Sequence, residues 1–360
     1  MAKVFLAGVR KGSSEKLVRE AVRASAETAT DFSWLSKGDS VFIKPALNSG
    51  NNYPATTSQV GIKAIVELLR DRGAGRIVLG DMSGVEHLKF RPDGISGSTR
   101  SLMERCGMAQ AALEAGAELH FFEEMGWGAF YEDPPPSGSH WKKGIMMPMI
   151  LKEMDHIVLM PRCGRHALAG STLGLKAVVG YWRTDTRLEY HKDSESLYEK
   201  TAEGNAVESL IKKQRLVVSV AHKIITTYGP DKGYVLEPET GLVIASQSVA
   251  AHDMVSQAWL LLGRLQTPNW ELVWFNDPDK SQFIVNMANR WIVSMLGNIV
   301  DAFQSDTLIK NDIKTIWEDR TLNRAYQLFG GRPVIDLKAA NDLVPEELKK
   351  SLTDMTTFGS

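Results

Sequence analysis

Short apolar runs alternate with segments whose apolar residues recur every three or four positions, and this alternation repeats along the first two thirds of the chain. Residues 3–9 and 40–44 read as buried strands, with an amphipathic helix at about 14–28 between them. The pattern continues with a helix at 59–72, a strand at 76–80, a helix at 98–115 and a strand at 118–122. Strands separated by helices of about 10–15 residues predict an α/β fold, a mostly parallel sheet with helices on both faces. Residues 123–143 contain aromatics, glycines and the run Pro134-Pro135-Pro136; the segment is too long for a simple connection, and it is read as a lid. Strands resume at 156–160, 216–220 and 242–245, each ending in a polar or glycine-containing loop. Ligands of open α/β sheets bind at the carboxyl ends of strands, so those loops are where a site is expected.

Beyond residue 249 the pattern is helical, at 250–262, 279–296 and 307–329, before a last strand at 333–337. The chain therefore divides into an α/β domain over 1–262, either one lobe or two split near 155, and a mainly helical C-terminal part over 263–360 packed on it. Trp259, Trp270, Trp274, Trp291 and Trp317 fall in the stretch beyond residue 249. Helix packing or a contact between subunits of a homo-oligomer is the expected role of these residues, ahead of stacking on a ligand.

Composition narrows the function. A 360-residue chain with 43% hydrophobic residues has material for a sizeable core, and a formal net charge of −1 lacks the basic excess of a nucleic-acid binder. No membrane partner is expected either. Cys106 and Cys163 stand far apart without a CxxC pair, so neither a disulfide scaffold nor a cysteine-held zinc or iron-sulfur cluster is expected. The opening MAKVFLAGVRKGSSE reads as a first strand, too brief for a secretory or membrane segment, and a cytoplasmic location is expected.

Positive charge is nevertheless gathered in one place. Residues 162–192 hold six Lys or Arg and two His against Asp185 and Glu189, interrupted by Gly164, Gly170, Gly174 and Gly180 and by Ser171 and Thr172. Glycines and small hydroxyl residues among cations suit a loop and helix start that hold an anion.

Four segments occur in an order and spacing similar to one family: VFIKPALNSGNNYPATTSQVGIKAIVELLRDRGAGRIVLGDMSG, STRSLMERCGMAQAALEAGAEL, MPRCGRHALAGSTLGLKAVVGYWR, and YGPDKG with GLVIASQSVAAHD. The chain resembles the domain of unknown function 362 family over about 3–262, in the version without an appended ferredoxin-type cluster domain. That resemblance implies an α/β fold and a shared pocket, without naming a reaction. Relative to the family pattern, the Lys-Asn pair stands here as Lys176-Ala177, and Lys-Pro-Asn as Lys44-Pro45-Ala46-Leu47-Asn48.

Candidate chemistry follows from the strand ends. Lys44, Asn48 and Asp81 stand just after or at the ends of two strands, and Arg162, Arg165 and Thr172 offer guanidinium forks and a hydroxyl for an anion. Cys163 stands between those arginines, a setting that lowers a thiol's pKa. His166, Lys176, His191 and His222 are the candidate acid/base groups, with Lys176 among apolar neighbours where desolvation lowers its pKa. His252-Asp253 follows another strand and is expected at the same edge of the sheet as His166. No GxGxxG, P-loop, HExxH or GxSxG pattern is present. The leading expectation is an enzyme that acts on a small anionic, carboxylated molecule, aromatic ones included, by acid/base chemistry of the lyase or isomerase type. One rival is a metal-dependent enzyme holding a divalent ion with His166, His191, His222 and Asp253. The other is a non-catalytic ligand carrier or cofactor-assembly factor.

Overall fold

The structure, a computed structural model, describes residues 1–269, 278–309 and 313–358, with the backbone alone at 278–281. Trp270 and Trp274 lie outside the described residues. The central sheet has eight strands: β1 Ala2–Arg10, β2 Ser40–Pro45, β3 Arg76–Asp81, β4 Glu118–Phe121, β5 His156–Met160, β6 Gln214–Ala221, β7 Thr240–Ser246 and β8 Ile335–Ala339. Their order is β8-β1-β7-β6-β5-β2-β3-β4. Pairings across the sheet are parallel except the two made by β7, so β7 alone runs against the other seven.

Both faces of this sheet are covered, which is why its strands read as nearly unbroken apolar runs. Successive side chains alternate faces: Val41 and Ile43 enter one core, with Val22, Ile62, Ile65 and Leu69 of helices α1 (Glu15–Ala29) and α2 (Gln59–Asp71). Phe42 enters another, with Ile157, Tyr181, Trp182 and Tyr190. A third core joins Leu6, Val217 and Ile244 to Met254, Val255 and Ala258. Strands from both sides of residue 155 share the sheet, β5 lying between β2 and β6, so it holds no lobe boundary there. The C-terminal part adds the edge strand β8 along β1.

Several elements differ from the sequence pattern for local reasons. The helix expected at 98–115 is two, Thr99–Arg105 and Met108–Ala115, broken where Gly107 takes a left-handed φ of 77°. In the stretch 307–329, expected to be one helix, the described residues hold a 3-10 turn at Ile316–Glu318 and the α-helix Arg320–Leu328; Asp319 caps that helix by accepting from the Thr321 and Leu322 N–H groups, and 307–309 are non-helical. The 123–143 segment is not a lid. It forms a hairpin of Phe130–Asp133 with Ile145–Pro148, and Trp141 is buried edge-on against Trp182. Among the described residues no helix is long and apolar enough to cross a membrane.

Candidate active site

A cavity of about 300 Å³ opens at the carboxyl ends of β2, β3 and β5. One wall is polar, with Lys44, Asn48, Asp81, Arg162, His166, Thr172, Lys176, Arg187 and His191, all but Arg187 anticipated from the sequence. The opposite wall is apolar and comes from the helix Pro278–Leu296, through Val285, Ala288, Trp291 and Ile292. Trp291, expected to serve packing, thus stands at a candidate ligand site.

At the floor, Lys44 Nζ lies 2.8 Å from Asp81 Oδ1 and donates to the Pro45 carbonyl oxygen at 2.7 Å. Asp81 also accepts the N–H groups of Met82 at 2.8 Å and Leu47 at 3.0 Å. Burial pulls the lysine down and pushes the carboxyl up, each opposed by the other's charge. The Gly180 backbone packs over this pair so closely that a Cβ would lie 2.4 Å from both Asp81 Oδ1 and Lys44 Nζ. Lys44 is therefore matched by Asp81.

Arg162 is largely engaged by the loops it joins. It donates to the carbonyl oxygens of Ala55 and, at 3.0 Å, Pro230, reaches Thr172 Oγ1 at 3.4 Å, and lies 3.6 Å from Asp231. Asp231 in turn accepts from Asn48 Nδ2 at 2.7 Å. Arg165 does not line the cavity: it is buried in the hairpin of Gly164–His166 with Gly170–Thr172, donating to the Gly170 carbonyl oxygen. Cys163 is buried too, and burial pushes its thiol up, contrary to the lowering expected from flanking arginines.

The uncompensated charge belongs to two other residues. Lys176, on the 3-10 helix Leu175–Tyr181, has neither a hydrogen bond nor an ion pair among the described residues; its ammonium lies 5.5 Å from the Tyr190 ring centroid. Burial, then the positive charges of Arg162, Arg187 and Lys44, draw its pKa down to about 7. Arg187, on the helix Thr184–Lys192, donates to the carbonyl oxygens of Ser83, Met82 and Gly180, and its Nε is buried without a partner. Sequence reading had counted Arg187 in the charge cluster but assigned it no role.

Two histidines face the same space in opposite tautomers. His166 Nδ1 accepts the backbone N–H groups of Leu168 at 3.2 Å and Ala169 at 3.3 Å, so its lone pair is used there and the neutral ring carries its proton on Nε2. His191 Nδ1 lies 2.8 Å from Asn289 Oδ1, while Asn289 Nδ2 donates to the His191 carbonyl oxygen at 2.9 Å. The amide nitrogen must face that carbonyl, so the amide oxygen faces the ring; His191 Nδ1 donates and Nε2 keeps its lone pair. Burial, then the charge of Lys176, holds His166 well below 6.5. Burial holds His191 down to about 3 as well, against the Asn289 hydrogen bond and with help from Lys176 and Arg187. Both rings are therefore neutral at pH 7, one a donor and the other an acceptor. At pH 7 His166 thus offers the cavity an N–H donor.

His222 and Asp253 are placed elsewhere. His222 packs against Tyr53 with ring centroids 5.1 Å apart, 3.2 Å from its hydroxyl, and does not line the cavity. Because β7 is reversed, the helix Val249–Leu265 starts at the opposite edge of the sheet from the cavity. One turn into that helix, Asp253 accepts the N–H groups of Gly174 at 2.8 Å and Leu175 at 2.7 Å, anchoring the 3-10 helix that carries Lys176, and His252 Nδ1 bonds Asp253 at 2.7 Å. The set His166, His191, His222 and Asp253 is thus not assembled around one ion. Among the described residues the group of metal-ligating type within common reach is Glu86, His87 and Asp231 at the surface, where Asp231 is already held by Asn48, Ser49 and Arg162.

An α/β sheet with a cation-lined cavity at its strand ends defines the class, and sequence comparison supplies the family. The chain belongs to the family described as domain of unknown function DUF362, whose profile matches residues 41–258. No curated protein matches. Among solved structures, a Thermotoga maritima protein is similar with a TM-score of 0.46 at 12% identity, covering 71% of this chain and 60% of its own. The lactate racemase apoprotein of Thermoanaerobacterium thermosaccharolyticum gives 0.42 at 13% identity, covering 68% of this chain and 54% of its own. The chain thus spans less than two thirds of either relative.

Proposed function

We propose that this protein is an enzyme that binds a small anion with an apolar body, a carboxylate by preference, and moves a proton on it. The observation that carries this reading is the set of three nitrogens of defined state around one cavity: the unpartnered Lys176 amine, the His166 Nε2–H and the His191 Nε2 lone pair. Lys176 and Arg187 attract the anionic group, and the Val285, Ala288 and Trp291 wall takes the apolar body. The His166 Nε2–H supports negative charge that develops on a carbonyl or carboxylate oxygen. The lone pairs of Lys176 and His191 accept the proton, and Lys176, with a pKa of about 7, is tuned for transfer at neutral pH. A bound anion offsets the positive field that depresses His191 and raises its basicity. Many lyase and isomerase reactions begin with such a step.

The test is a panel of small aryl and alkyl carboxylates, followed by thermal stabilisation and by deuterium exchange at ligand C–H positions in heavy water. Stabilisation with exchange, both lost in Lys176→Met, is the expected result. Stabilisation without exchange by any member fits a ligand carrier instead, and neither effect across the panel overturns the reading.

A further inference from the structure

We propose that the cavity accepts anions bearing a ketone or aldehyde, and that Lys176 Nζ bonds covalently to that carbonyl carbon as an imine. This rests on the cavity being an anion site and names the substrate class. The geometry is that of a lysine held for its lone pair. Every other cation of the polar wall has an acceptor: Lys44 has Asp81 and the Pro45 carbonyl, Arg162 has the Ala55 and Pro230 carbonyls, and Arg187 has three carbonyls of its own. Lys176 alone among them has none among the described residues, although it lines the cavity. Nor is it loosely placed, since Asp253 fixes the turn at Gly174 and Leu175 immediately before it. The charged groups around it are Lys44 at the end of β2, Arg162 after β5, and Arg187 on the helix Thr184–Lys192, a field that disfavours a fourth positive charge.

In the step, the neutral amine attacks the carbonyl carbon, forming the C–N bond as the C=O π bond opens toward the His166 Nε2–H. A proton moves from nitrogen to that oxygen, giving a carbinolamine. The hydroxyl then takes a second proton, the one that the lysine ammonium released to solvent on becoming the attacking amine, and leaves as water, its C–O bond breaking as the nitrogen lone pair closes the C=N bond. In sum, one lysine ammonium and one carbonyl give one protonated imine and one water, with no oxidant or reductant. The imine is an electron sink for a proton lost from the adjacent carbon, and the His191 Nε2 lone pair is the acceptor left for it.

The experiment incubates the full chain with phenylpyruvate and, separately, pyruvate in the presence of sodium cyanoborohydride, and then maps the adduct by peptide mass spectrometry. Phenyllactate, which has the same anion without the ketone, is scored in parallel by thermal shift. The expected result is an adduct concentrated on Lys176, lost in Lys176→Arg, and formed faster as pH rises through about 7, where exposed lysines still lag toward about 10.4. Phenyllactate stabilisation without a Lys176 adduct overturns the imine and leaves the anion site standing. Labelling spread over exposed lysines with none at Lys176 overturns it as well, and absence of both adduct and stabilisation removes the anion site too.

Discussion

Asn289 and Gly180 show how single residues shape the cavity without being reactive themselves. Asn289 is buried on the helix Pro278–Leu296 and holds His191 by ring and backbone at once. Replacing it by leucine removes the acceptor for Nδ1–H, and the expected outcome is a mixed tautomer population, read from the imidazole nitrogen shifts of His191 by NMR, with proton exchange on the ligand slowed. Unchanged nitrogen shifts in Asn289→Leu would contradict the assigned tautomer. Gly180→Ala places a methyl against both members of the Lys44–Asp81 pair. An overpacked buried site of this kind costs about 1–3 kcal/mol, seen as a lower urea midpoint at unchanged slope. Lys44 is visible in the sequence as a cation at a strand end and Lys176 as one in a helix-like stretch among apolar neighbours; which of them is matched by a carboxylate and which is not was decided by where Asp81 falls.

At the scale of elements, the cavity is a joint between the sheet's carboxyl edge and the helix Pro278–Leu296, which lies outside the matched family region of 41–258. That helix supplies both the apolar wall and the residue that orients His191. Ala288→Trp is expected to fill the wall side of the cavity and abolish stabilisation by aryl carboxylates while far-UV circular dichroism stays native; retained stabilisation would place the ligand elsewhere. The helix Thr184–Lys192 is held to the body by a buried lysine, since Lys200 Nζ lies 3.3 Å from Glu189 and 3.1 Å from Asp193. Sequence periodicity located both of the longer C-terminal helices, at 250–262 and 279–296, because each carries its own apolar stripe. It overextended the next one, since the capping residue Asp319 marks a start that charge pairing alone does not reveal.

For the molecule as a whole, the cost of keeping Lys176 in the cavity appears as a pH dependence of stability. Its pKa is about 7 when folded against about 10.4 when unfolded, so between these values the unfolded chain binds the extra proton. Stability from this group is complete above the unfolded value and is lost as pH falls toward about 7. The depressed histidines His166, His191 and His222 act in the same sense below about 6.5. Above about pH 8.5 the buried thiols of Cys106 and Cys163, and above about pH 10 the buried tyrosines Tyr53, Tyr181 and Tyr190, all raised by burial, act in the opposite sense. Chemical denaturation at a series of pH values is expected to show the ligand-free protein gaining stability from about pH 7 to 8.5, at no more than about 1.4 kcal/mol per pH unit from this residue. Lys176→Met should flatten that slope, and an equal slope in the variant would show that the amine is not depressed.

The sequence by itself determined the α/β alternation, the strand ends at which to look, and the cationic stretch 162–192 from which much of the polar wall is built. Those features are local: apolar period and the position of a residue within its own strand survive without knowledge of neighbours. Tertiary structure alone decided that β7 runs backwards, so that the helix after it enters from the far edge and presents Asp253 to Gly174 and Leu175 as an anchor; it also set His222 beside Tyr53. A strand's side-chain alternation is the same read in either direction, so its polarity depends on which partners it finds. The same holds for Arg187, Asn289 and the apolar wall, whose roles arise from helices docking across the sheet rather than from any pattern within their own segments.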